Sequence, residues 1–187
     1  SPSAGIGNMG STFFDIIQFF IGERPQTIFA SLDNSNTPNP RGKMFNDPGA
    51  YGIINYNNNV KAFFDLSEDT GLPYKMIFKS KNFELIFDEI NNHLIVEERP
   101  QAYRNKPLYF YLFKPKKYKM KLTHKFDVVK MTSETIKKIF SKKFDKSNFQ
   151  RNLLVSEIIS AAFASSYNNK LIKFPLSKKY FKIECNF

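Results

Sequence analysis

The chain has 187 residues, 42% of them hydrophobic and 16% aromatic, enough to bury one substantial core and too few for two ordinary domains. Its single cysteine, Cys185, cannot close an internal disulfide, and with only His93 and His124 beside it there is no zinc-ligand spacing, which points to a reducing cytoplasm. The net charge of +11 is segmental: Tyr103 to Arg151 holds 15 Lys or Arg against three acids, a balance of +12, while the remainder holds 13 against 14, a balance of −1. No nucleic-acid motif surrounds that stretch, so specific DNA or RNA binding is not expected.

In chain order, SPSAGIGNMG carries neither an initiator Met nor a basic lead into an apolar run, so it reads as a truncated chain and not a signal peptide. Phe13, Ile16, Ile17, Phe20 and Ile21 then recur at helical spacing, and Gly22 followed by Pro25 predicts the stop. Asp15 and Gln18 interrupt this most apolar run, which falls short of the roughly 20 residues that a membrane span requires, and no membrane association is expected. TIFASLD predicts a strand, and a polar loop runs on through Gly42. From Tyr51 a period of two repeats through GIINY, VKAFFDLS, YKMIFKSK, FELIFDE, HLIVEE and PLYFYLF. Asn57 to Asn59 and Asn91 with Asn92 supply turns, because Asn tolerates the positive φ that tight connections require.

These strands lack a polar face. Val60, Ala62, Phe64 and Leu66 share one side, yet Phe63, Ile77, Ile86, Ile95, Tyr109 and Tyr111 occupy the other rows. A sheet with one wet face alternates apolar with polar, so a second copy of the chain is expected to cover it. The run KPKKYKMKLTHK, from Lys114 to Lys125, reads as a solvated edge in which Lys discourages further pairing, the alternative being an anion-binding patch with Tyr118 for stacking. Helices are predicted over 133–144 and 149–167, the second with Leu153, Leu154, Ile158, Ala161, Ala162 and Ser165 on one face and Asn168 with Asn169 at its end. LIKFPL and KYFKI predict closing strands. The fold class is α+β: a single domain with a large, mainly antiparallel, open-faced sheet and helices on one face.

Three segments carry a family resemblance. GIGNMGSTFFDIIQFFIGE, Gly5 to Glu23, resembles the junction of the glucose-fructose oxidoreductase, inositol dehydrogenase and rhizopine-catabolism family, in which a Gly-rich turn precedes D-x-G-x-H-x-x-D and a helix ending in L-G-E. The matching positions are Asn8, Gly10, Thr12 and Asp15, then Ile21, Gly22 and Glu23. FNDPGAYGIINYNNNVKAFFDLS resembles that family's hairpin, in which an acidic residue precedes the first strand, and LLVSEIISAAFASSYNNKLIKFPL resembles its late helix. Helix, hairpin and helix in this order also suit an unrelated α+β domain.

The resemblance implies a preceding Rossmann domain that holds NAD or NADP, a carbohydrate-like substrate, and a homodimer or tetramer built through the sheet. No cofactor is expected on this chain alone. Gly5, Gly7 and Gly10 do have G-x-G-x-x-G spacing, but no strand precedes them. In the family an Asp and a His four apart orient the sugar hydroxyl and move its proton, with a Lys from the nucleotide domain assisting. Asn8 and Thr12 stand there instead, and neither titrates near neutrality. The resemblance makes Asn8 and Thr12 catalytic-position and substrate-binding candidates, with Asp15 beside them; for all three, helix capping or local support is the alternative. Two functions remain open: the substrate-side half of an NAD(P)-dependent sugar or polyol oxidoreductase, and a catalytically silent binding or assembly module of the same fold.

Overall fold

The computed structural model describes residues 5–33, 42, 47–66, 75–88, 91, 93–109, 112–122, 128–141 and 146–180. Its elements are α1 (Met9–Ile21), β1 (Thr27–Asp33), β2 (Gly49–Asn55), β3 (Lys61–Asp65), β4 (Met76–Lys79), β5 (Phe83–Asp88), β6 (His93–Glu98), β7 (Lys116–Lys121), α2 (Val128–Phe140), α3 (Lys146–Asn168) and β8 (Ile172–Lys173). The class is α+β and every strand pair is antiparallel. The strands are shared between two four-stranded sheets, β3-β2-β1-β8 and β4-β5-β6-β7. The chain divides into two compact units, Ser1–Gly71 with Lys143–Phe187, and Leu72–Lys142.

In the first unit α3 lies across the inner face of the sheet. Its Val155, Ile158, Ala161 and Ala162 are buried, as are Ile28 and Ala30 of β1, the strand it packs on; Ile158, Ala161, Ala162 and Ser165 keep the face that the helical spacing predicted, whereas Leu153, expected on it, is exposed. The small side chains let the helix approach closely enough for two of its hydroxyls to serve the sheet. β8 pairs only Thr27 and Ile28 of β1. Further along that edge the backbone N–H groups of Ala30 and Leu32 donate to Ser165 Oγ and Ser166 Oγ, each at 3.0 Å, which meets the requirement that buried backbone donors be paired. α1 packs on α3. Its Phe14 is buried edge-on to Phe64 at 5.2 Å, and its buried Gln18 donates to the Tyr56 hydroxyl at 2.5 Å. Burial pushes the Tyr56 phenol well above its ordinary range. Gly22 ends α1 with φ +69° and donates to Gln18 O, and Asn58 and Asn59 adopt the positive φ expected of them.

On the outer face of that sheet Phe29, Ile53 and Phe63 stand in one cross-strand row, and Phe63 is 75% exposed. In the second unit Ile77, Ile86 and Ile95 form a similar row across β4, β5 and β6. Beside it Lys79, Glu84, Glu97 and Lys117 align across all four strands, with Lys79–Glu84 and Lys117–Glu97 ion pairs of 2.6 Å each. The lysine run forms β7, exposed along its whole length at the edge of the sheet, as the edge reading requires.

Four expectations change. Leu108 and Tyr109 lie in a turn and not a strand, because Pro107 and Pro115 bracket the aromatic run and remove ladder donors; Tyr111 is outside the described residues. The helix expected over 133–144 is α2, which begins at Val128; Phe144 is not described. α2 does not bury the apolar face expected of a packed helix, since each of its described side chains is exposed, Phe140 at 83%. Of the predicted KYFKI strand, Lys179 and Tyr180 fall in the 3-10 turn Lys178–Tyr180, and the remainder is not described.

Candidate functional site

The start of α1 is fixed by a side chain from elsewhere in the sequence. Asp47, on the approach to β2 and only 7% exposed, accepts the Gly7 N–H on Oδ1 at 2.6 Å and the Asn8 N–H on Oδ2 at 3.0 Å. A carboxylate placed there holds the N–H of the N-cap and of the residue before it, while the Met9 and Gly10 N–H groups donate to Gly5 O, and it faces the positive end of the helix dipole. The backbone comes together because residue 5 is glycine: a Cβ on Gly5 would sit 2.0 Å from the Asp47 carbonyl oxygen. Ile6 N–H to Pro48 O, at 2.9 Å, ties the same two segments.

Asn8 is the N-cap residue of α1, yet its own side chain makes no capping hydrogen bond. The capping alternative for Asn8 is therefore corrected: its side chain does not cap α1, Asp47 holds its backbone N–H, and Asn8 is half-buried. Thr12 lies one turn further along and is exposed. Asp15, in mid-helix, caps nothing. It pairs with Arg151 of α3 through Nε, and more loosely through Nη2 at 3.5 Å, and the guanidinium lies 5.7 Å from the centre of the Phe19 ring. Asn8, Thr12 and Asp15 thus follow one stripe of α1, with the only carboxylate among them neutralised by Arg151.

A groove of about 1070 Å³ opens at the other end of α1, between Gln18 to Arg24, the first half of α3, and Pro175 to Lys178. Asn8, Thr12 and Asp15 do not line it. Within it Glu157 pairs with Arg24 and accepts the Leu176 N–H at 2.6 Å, which anchors the segment after β8 to α3.

The residues with G-x-G-x-x-G spacing do not suit a dinucleotide. The N–H groups that would cradle a pyrophosphate are those at the start of α1, and Gly7 and Asn8 already donate to Asp47. The space beside Gly5 is filled by the same residue. Among the described residues no group of three or more His, Cys, Asp or Glu could hold a metal ion, and no described helix is long and apolar enough to cross a membrane. His93 sits in β6, half-buried, and His124 lies outside the described residues.

Asp47 was missed as a site residue. Its signal was the acidic position before the hairpin in FNDPGAYG, but its partners are 40 and 39 residues away. Arg151 was read only as part of a basic stretch.

The fold matches about half of each of several solved proteins described as NAD-binding proteins or oxidoreductases, the fold that the three resembling segments implied. No protein-family model and no curated protein matches the sequence. Among solved structures, the chain is similar to an NAD-binding oxidoreductase from Klebsiella pneumoniae, with a TM-score of 0.69 and 15% identity over 94% of this chain and 51% of that one. It is similar to an oxidoreductase domain protein from Kribbella flavida, with a TM-score of 0.67 and 16% identity over 92% and 52%. It also resembles Gal80p from Saccharomyces cerevisiae, in a super-repressor mutant, with a TM-score of 0.59 and 15% identity over 90% and 49%. The chain spans about half the length of the structures it matches, and at these identities the likeness is one of fold.

Proposed function

We propose that this chain is the substrate-side, carboxy-terminal half of an NAD(P)-dependent sugar or polyol oxidoreductase, and that it self-associates through the outer faces of its sheets. The observation that carries this reading is the stripe of Asn8 and Thr12, one turn apart on α1, whose start is held by the buried Asp47. The Asn8 amide and the Thr12 hydroxyl can each donate to and accept from a sugar hydroxyl. Neither can take its proton at neutral pH, so this chain orients the substrate, while NAD(P) and the accepting base belong to the other half. The rows Phe29–Ile53–Phe63 and Ile77–Ile86–Ile95, in which Phe29, Phe63 and Ile77 are exposed and the other three half-buried, support self-association, since monomers seldom leave large contiguous apolar patches in water.

In the two-part protein, Thr12→Ala is expected to slow cofactor reduction on its best polyol only about twofold to tenfold, in line with the loss of one neutral hydrogen bond. Absorbance of the reduced nicotinamide across a series of sugars and polyols measures this. A loss of several orders of magnitude would instead make Thr12 part of a proton relay. The 187-residue chain alone is expected to bind NAD(P) only weakly by calorimetry, because its one Gly-rich helix start is occupied by Asp47; tight binding would overturn the division of labour.

The second reading is a catalytically silent binding or assembly module. It is favoured by the Asp15–Arg151 pair, which leaves no free carboxylate in the Asn8–Thr12–Asp15 stripe, and by the presence among its structural neighbours of the transcriptional regulator Gal80p. Absence of turnover on every polyol by the two-part protein, with its cofactor bound, would select it.

A further inference from the structure

We infer that Asp47 is the positioning residue of the candidate site: an internal anion seated at the start of α1, which sets the direction in which Asn8 and Thr12 present their side chains. The inference rests on reading those two residues as substrate contacts, and it concerns what holds them in place. Three observations carry it. The carboxylate is buried and spends both oxygens on consecutive backbone donors, Gly7 N–H and Asn8 N–H. The second of these belongs to Asn8 itself, so the φ of Asn8 and the origin of its side chain are set by Asp47. Gly5 admits no Cβ against the Asp47 backbone, so glycine at that place is what lets the two segments come close enough for these bonds.

The connection is between distant parts of the chain. Asp47 leads directly into Pro48, Gly49 and β2, the strand that pairs with both β1 and β3. Its bond to Asn8 therefore ties the first turn of α1 to a central strand of the sheet. Helix starts fray readily when their donors face water; this one is referenced to the most constrained part of its unit. With Asn8 and Thr12 one turn apart, a rotation of the first turn would carry both side chains away together. Substrate groups need positioning to within a fraction of an ångström for efficient reaction, so an anchor at Asn8 is where such precision has to originate.

The seat also gives a means of testing the anchor without a substrate. Asp47→Ala removes the carboxylate from two converging N–H donors, a place that formate can take. In the 187-residue chain, Asp47→Ala is expected to speed hydrogen exchange at the Gly7 and Asn8 amides about tenfold to a hundredfold, the loss expected when a charge-assisted bond is removed. The Asn8 side-chain amide and Thr12 methyl resonances should shift while those of Ile158 in the core stay in place, and formate should restore the wild-type positions. Asp47→Asn keeps the volume and one acceptor, and is expected to give an intermediate result in a folded protein should the alanine variant not fold. Asn8 and Thr12 resonances unmoved in either folded variant, or moved together with Ile158, would overturn the inference.

Titration of the wild-type chain with glucose and inositol separates this from the functional proposal. If neither sugar perturbs Asn8 or Thr12, the substrate reading fails, whereas the dependence of both residues on Asp47 is read from the ligand-free spectra.

Discussion

The two units of this chain are held together by different means. Beneath α3 the first unit buries Phe14, Ile28, Ile54, Ile158, Ala161 and Ile172, most of them completely, whereas among the described residues of the second unit only Met76 and Arg99 are buried. The sheet of β4 to β7 relies instead on its ladder of backbone hydrogen bonds and on ion pairs across neighbouring strands, and Arg99 donates to the carbonyls of Lys106 and Pro107 to secure the loop that follows. A packed core stabilises by excluding water from interlocking side chains. A four-stranded sheet with apolar residues on both faces is half of such an arrangement, and its isoleucine row has the composition of a surface that another surface covers.

The contrast should be clearest in Phe14→Ala. Removing a wholly buried ring stacked edge-on against Phe64 is expected to destabilise the first unit by about 3–5 kcal/mol, measured by urea unfolding. Phe63→Ala, an equally large truncation at an exposed position, should change stability by no more than about 0.5 kcal/mol in the monomer. Equal effects would mean that the outer face is already packed. Next in size, Ile86→Lys places a charge in the middle of the Ile77–Ile86–Ile95 row and is expected to weaken the proposed self-association at least about tenfold. Light scattering at tens of micromolar decides it, and a wild-type chain that is already monomeric removes the basis for the proposal.

Smaller still is Glu97→Gln, which deletes the partner of Lys117 at the edge of the second sheet. Because the lysine is largely exposed, the expected loss is about 0.2–1 kcal/mol and should fade with added salt; a larger, salt-independent loss would show that this row is covered. The subtlest effect concerns Asp88, whose carboxyl sits below its usual range, chiefly because the Asn91 side chain donates to it and then because the Asn91 backbone N–H does. A depressed folded-state value means that the contribution to the β5–β6 connection is present above the ordinary carboxylate range and is lost as pH falls through the lowered value, below about pH 4. An NMR titration of Asp88 with a midpoint at or above the ordinary value would remove this interaction from the account.

How much of this could be read from the sequence depends on the distance over which each feature is decided. α1, α3 and β1 to β6 follow from periodicity within a dozen residues, and their ends follow from local chemistry: Gly22 can adopt φ +69°, and Asn58 and Asn59 tolerate positive φ at little cost. The lysines of β7 marked an edge because charge there opposes further pairing. Local pattern failed where two local readings competed, as in PLYFYLF, where aromatic content argued for a strand and the flanking prolines prevailed. The candidate site was half legible. The Asn8, Thr12 and Asp15 positions came from a motif, but their surroundings did not, because Asp47 lies 40 residues from Gly7, Arg151 lies 136 residues from Asp15, and Ser165 lies 135 residues from the Ala30 N–H that it accepts. By itself the sequence determined α1, α3 and the strands β1 to β6, since their periodicity depends on near neighbours along the chain. Only the tertiary structure decided which carboxylate holds the start of α1, which cation neutralises Asp15 and which isoleucines share a row, because each is settled by groups that meet when the chain folds.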